Sequence, residues 1–264
     1  MLKIAWEFSF SLKEFNMLVI WTLGISMIFL AGIIHFDKKL LTAMGLLVIF
    51  GHNLLHGISF EKNSMADVVW KILYGPGSVE IGDVTFFFLF PALPYFGLVM
   101  VGYSMGYLYN ASFSDVTRRR ILIGIGLSCC ALFIALRLIN KYGDPNPWTI
   151  QNNLVYTILS FIKTTKYPTS LLYLLMTIGP SIIFLSLTEK IDSKISRVLV
   201  VFGKTPMYFY LWHLFIIHFC AIAIGGINVH NLQMVWFATL FVNFILYFLC
   251  KQSKDKLWIL ELLY

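Results

Sequence analysis

Two histidines four residues apart, His52 and His56, bracket Asn53 in the stretch FGHNLLHGI (50–58). At that spacing both fall on one face of a helix. Two chemistries follow. A pair of imidazoles can ligate a metal. Alternatively, one is a general base or substrate contact and the other a hydrogen-bonded structural histidine. No acidic or third ligand stands at a matching spacing, so no metal site is read here. A second pair, His213 and His218, lies with Tyr210 in FGKTPMYFYLWHLFIIHF (202–219). Five residues turn a helix through about 140° beyond one revolution, so at most one of the two faces a pocket. The other reading of each is a buried histidine bonded to a neighbouring helix. Arg137 stands alone, and either snorkels to lipid headgroups or clamps an anionic acceptor group.

These residues sit in a strongly apolar chain. Of its 264 residues, 59% are hydrophobic and 12% charged, with mean hydropathy +0.79. Soluble domains average about 25% charged residues, so a soluble fold is excluded. An all-α, polytopic transmembrane helix bundle is expected over 1–264 as a single domain. A span needs about 20 apolar residues, and seven segments qualify: 17–36, 40–58, 86–109, 120–139, 168–187, 202–224 and 232–250. Continuous apolar runs exclude a transmembrane barrel, whose strands alternate. Cys129, Cys130, Cys220 and Cys250 lie in apolar runs and read as small hydrophobes.

The net charge of +7 does not imply nucleic acid, because the basic residues occupy short loops between spans. Lys38, Lys39, Arg118–Arg120, Lys190, Lys194, Arg197, Lys251, Lys254 and Lys256 form the denser set and are assigned to the cytoplasm. The N-terminus is then outside and the C-terminus inside. The Arg118–Arg120 run follows from this rule without a nucleotide phosphate. His52, Asn53, His56, Arg137, His213 and His218 all fall in the outer half, which suggests a polar pocket opening outward. Pro91, Pro94, Pro180 and Pro206 interrupt spans and can border such a cavity. Segments 63–75, with Ser64 as cap and Asp67 at the third helical position, and 148–164 read as amphipathic surface helices. The tail 256–264 reads as a similar piece on the inner side. Residues 1–16 carry no signal peptide, so an external N-terminus predicts an odd number of helices ahead of Met1.

The stretches FGKTPMYFYLWHLFIIH (202–218), FGHNLLHGI (50–58), FPALPYFGLVMVGYSMG (90–106) and KYPTSLLYLLMTIGPSIIFLSL (166–187) together resemble the heparan-alpha-glucosaminide N-acetyltransferase-like membrane family, in a bacterial branch. The resemblance implies about ten or eleven spans in a whole protein and location in a bacterial inner (plasma) membrane. It also implies transfer of an acetyl group from cytoplasmic acetyl-CoA to an extracytoplasmic sugar or similar acceptor. The family's Asp-His element, the expected catalytic histidine, has no counterpart here, which agrees with a C-terminal portion of a longer protein. No catalytic residue is therefore carried over. His52, Asn53, His56, Arg137, Tyr210, His213 and His218 are the candidate substrate-binding residues. Membrane lipid and a small-molecule or glycan acceptor are the expected partners, with a homo-oligomer or a separate N-terminal segment as further ones. The competing readings are a polar-solute transporter and an inactive remnant or subunit.

Overall fold

The computed structural model describes residues 13–223 and 232–261. The chain divides into two compact units, Leu12–Glu189 and a second whose described part begins at Lys190.

In the first unit the order is β1 (Glu14–Met17), α1 (Val19–Ile33), α2 (Lys38–Gly51, continued by a 3₁₀ turn His52–Leu55), α3 (Met65–Leu73), β2 (Gly77–Ile81), β3 (Val84–Phe88), α4 (Ala92–Met105), α5 (Asp115–Ile139), α6 (Leu154–Ile162) and α7 (Leu171–Thr188). The second unit holds α8 (Lys194–Lys204), α9 (Pro206–Ala223) and α10 (Leu232–Glu261).

The chain is mostly helical, but not all-α. β3 is the central strand of a three-stranded sheet, parallel to β1 and antiparallel to β2. Gly82 and Asp83 alone join β2 to β3, with Gly82 at φ +59°. Glycine at the first of two turn residues suits a tight hairpin. Residues 86–88 therefore pair as strand instead of opening a span, and α4 begins at Ala92. Pro91 is its cap and Pro94 lies in its first turn, where a missing N–H costs no helical bond. Neither proline kinks a span.

Four described helices are long and apolar enough to cross a membrane: Lys38–Leu55, Asp115–Ile139, Leu171–Thr188 and Gln233–Ser253. A fifth arises if α8 and α9 count as one span. Their axes are bent by 89°, because Pro206 has no N–H to continue the helix. The expected span 202–224 thus starts at Pro206, and 202–204 belong to α8, whose start is a Ser193–Ser196 capping box. At 15 residues α1 is shorter than a span. Of the two surface helices, α3 forms with Ser64 as cap. The other is shorter than expected: α6 begins after Asn153, which caps it. The expected inner tail is no separate piece, since α10 runs unbroken through Glu261. Residues 1–12, 224–231 and 262–264 lie outside the described residues.

Many large apolar side chains face outward while several polar ones are buried. On α1, Thr22 and Ser26 are fully buried while Ile28 is 75% exposed; on α2, Leu47 is 73% exposed. Thr22 Oγ1 donates to the Phe90 carbonyl at 2.6 Å. Polar groups inside and apolar groups outside is the pattern an apolar solvent selects.

Two helix pairs close on glycine. A methyl on Gly45 of α2 would come within 2.8 Å of the Gly97 carbonyl oxygen on α4, and the reverse contact is 2.9 Å. Gly126 of α5 and Gly179 of α7 face each other likewise, at 2.8 and 3.1 Å. Without a hydrophobic drive between helices, such close approach supplies the packing. At the cytoplasmic end expected from the basic loops, Arg118 bonds Glu189 at 2.7 Å and Asp115 at 2.8 Å. This ties the start of α5 to the end of α7.

Gly126→Ala and Gly45→Ala will each lower stability by about 1–3 kcal/mol through overpacking. Gly24→Ala, with nothing within 4 Å of the added carbon, will be neutral or stabilising by up to about 1 kcal/mol. Thermal unfolding in detergent distinguishes the two classes.

Candidate functional site

His52 closes the last turn of α2 and is 2% exposed. Its Nδ1 faces the Ile49 carbonyl at 2.8 Å and the Val48 carbonyl at 3.2 Å. Its Nε2 faces the Thr169 carbonyl at 3.1 Å. A carbonyl can only accept and a neutral imidazole carries one N–H, so one ring nitrogen donates while the other only faces a backbone oxygen. Tyr74 packs edge-on at 6.1 Å, its phenol pushed up to about 12 by burial. Asn53 Oδ1 accepts from the Leu171 N–H at 2.9 Å. His56 has left the helix, with ψ 135°, and is exposed. It does not share a helix face with His52, because the chain tightens to a 3₁₀ turn at 52–55. Among the described residues, no group of three or more His, Cys, Asp or Glu could hold a metal ion.

Both named residues bolt onto the start of α7, where the backbone accounting is complete. Four N–H groups at a helix start lack intrahelical partners. Ser170 N–H goes to Thr165 O at 3.1 Å and Leu172 N–H to Gly143 O at 2.9 Å. Leu171 N–H goes to Asn53, and Tyr173 N–H to the Ser170 hydroxyl at 3.1 Å. The Tyr95 hydroxyl shares a hydrogen bond with Thr169 Oγ1 at 3.2 Å.

Asp144 organises the loop beneath. Its carboxylate accepts from Asn146 N–H, Thr165 N–H, Thr165 Oγ1 and the Ser170 hydroxyl, at 2.7–2.9 Å. Sequence reasoning missed it, although Asp ahead of Pro in GDPNPW marks a turn in which the carboxylate caps the backbone two residues on.

Arg137, in the last turn of α5, is 2% exposed. It does not snorkel. Its guanidinium donates to the carbonyls of Phe161 at 2.8 Å, Asn146 at 3.1 Å, Ser160 at 3.1 Å and Lys163. The Trp148 indole N–H returns to the Arg137 carbonyl at 2.7 Å.

Tyr210, His213 and His218 belong to the second unit. His213 Nδ1 faces the Phe209 carbonyl one turn back at 3.1 Å. That oxygen fixes the proton on Nδ1 of the neutral ring, leaving Nε2 with its lone pair. Phe209 stacks on the ring at 5.6 Å and Tyr210 meets it edge-on at 5.5 Å. His218 Nδ1 similarly faces the Leu214 carbonyl at 2.8 Å.

No family model, curated protein or solved structure matches the chain.

Asn53→Ala strands the Leu171 N–H and will cost about 1–3 kcal/mol of stability. His52→Ala will cost at least as much, since it also leaves a cavity. His56→Ala will fall within about 0.5 kcal/mol of wild type. Denaturant unfolding of the three variants checks this, and a cost at His56 equal to that at His52 would reverse the assignment.

Proposed function

We propose that the chain is a membrane-embedded acyltransferase, or the C-terminal part of one, passing an acetyl group from acetyl-CoA to a sugar or similar amine or hydroxyl acceptor across the membrane. The observation that carries this reading is His213, a half-buried imidazole with Nδ1 held by its own helix, Nε2 left as the base, and the Tyr210 ring beside it. The four quoted motifs supply the substrate class by resemblance.

In this mechanism Nε2 takes a proton from the acceptor in a partly dry site, where general base catalysis contributes about 10²–10⁴-fold. The acceptor attacks the thioester carbonyl, the carbon–sulfur bond breaks, and the proton passes from His213 to the departing coenzyme A sulfur. In this reading the Tyr210 hydroxyl donates to the oxyanion. His52 enters no step, since both its nitrogens face backbone carbonyls.

One feature favours a second reading. The 89° break between α8 and α9 is of the kind that solute carriers use at their binding sites. Acetyl-CoA-dependent labelling of acceptor sugars separates the two.

His213→Ala will lower acetyl transfer by at least about 10²-fold while leaving membrane insertion intact, and His218→Ala will be milder. Wild-type turnover of His213→Ala removes that residue from the site.

A further inference from the structure

A cavity of about 540 Å³ opens between the end of α5, the loop after it and the segment following α6. That volume falls within the range of small-molecule sites. Its lining includes Arg137, Lys163, Lys166, Ser160, Thr164 and Thr149, and contains no carboxylate. Asp144, the nearby acid, is occupied by four donors, the Asn146 N–H, the Thr165 N–H and hydroxyl, and the Ser170 hydroxyl. Arg137 gives four N–H groups to backbone carbonyls, which are neutral. Its charge is thus buried with hydrogen bonds but with no anion bonded to it. Lys163 and Lys166 add two more positive charges. Lys166 lies over the Tyr167 ring at 5.2 Å, and its hydrogen bond with Tyr167 raises its pKa. One polar atom in the wall is unused: Thr164 Oγ1 is buried and has no hydrogen-bond partner. Buried hydroxyls are normally hydrogen-bonded, so Thr164 Oγ1 is available to a polar atom entering the cavity.

The surroundings say what kind of anion. Arg137 ends a 25-residue span. α6, which contributes Ser160 to the wall, leaves Leu154 74%, Val155 60%, Ile158 49% and Leu159 54% exposed. Only its Phe161 side turns inward, onto Phe133 and Trp148. Cations and hydroxyls beside an exposed apolar helix, at the end of a span, occupy the level where acyl chains give way to phosphates. We infer that this cavity is a binding site for the phosphate of an anionic phospholipid headgroup, with the acyl chains lying along α6. The inference is independent of the acyl-transfer reading.

Phosphate esters also occur free in solution, and the test separates the sources. The full chain, purified in neutral detergent, is titrated with dioctanoyl phosphatidylglycerol, dioctanoyl phosphatidylcholine and inorganic phosphate while its thermal unfolding is followed. The anionic lipid should raise the midpoint saturably, with the other two at least tenfold weaker. Lys163→Gln/Lys166→Gln, at two exposed positions, should unfold like wild type without lipid and bind the anionic lipid at least tenfold more weakly. Thr164→Val, which removes a hydroxyl that bonds nothing, should match or exceed wild-type stability yet also lose affinity. Equal shifts from both lipids, a shift from inorganic phosphate as large as that from the anionic lipid, or unchanged affinity in the two variants would each overturn the site.

Discussion

The first turn of a helix presents four N–H groups that its own backbone cannot satisfy, and in an apolar layer water is not there to take them. At the start of α7 all four are met by protein: by Thr165, Asn53, Gly143 and Ser170. These partners come from the end of α2, from the loop after α5 and from the segment just ahead of α7. One helix start therefore fixes three stretches of chain at once. Asp144 holds the Ser170 cap and Thr165 in place. The His52 ring lies against the Thr169 carbonyl, so the same few residues surround acceptors as well as donors.

This constraint separates polar residues that build from those free to act. A histidine in a span invites a catalytic reading, because ionisable groups are costly there. His52 answers that cost structurally, with both nitrogens facing backbone carbonyls and its one N–H given to one of them. Arg137 does the same with four carbonyls, and in doing so shapes the wall of a cavity. His213 differs: among the described residues its hydrogen bond is from Nδ1 along its own helix, which sets the tautomer and leaves the lone pair on Nε2.

Much of this was legible in the sequence. Long apolar runs marked 120–139 and 168–187, which form α5 (115–139) and α7 (171–188), and Ser64 with Asp67 marked the start of α3. His52, Asn53, Arg137 and His213 stood out by type and depth. What failed did so for identifiable reasons. VEIGDVTFFF carries a hairpin signal in Gly82-Asp83, but its apolar second strand is continuous with the helix beyond Pro91, and length alone read both as one span. Pro206 looked like a kink within a span and is instead the first residue after an 89° bend. Asp144 sits in a loop, where a carboxylate passes for a solvated charge until its four donors are seen. Periodicity does not report a helix-to-3₁₀ change, so His52 and His56 seemed to share a face that the chain abandons between them.

The central claim is that the start of α7 is fully satisfied by these partners. Site-resolved amide hydrogen exchange in detergent micelles tests it most directly. The account predicts that Ser170, Leu171, Leu172 and Tyr173 exchange as slowly as amides in the middle of α7, and that Asp144→Asn, which loses one accepting oxygen, selectively speeds all four. Exchange of these amides in the wild type at the rate of an unprotected helix end would contradict it.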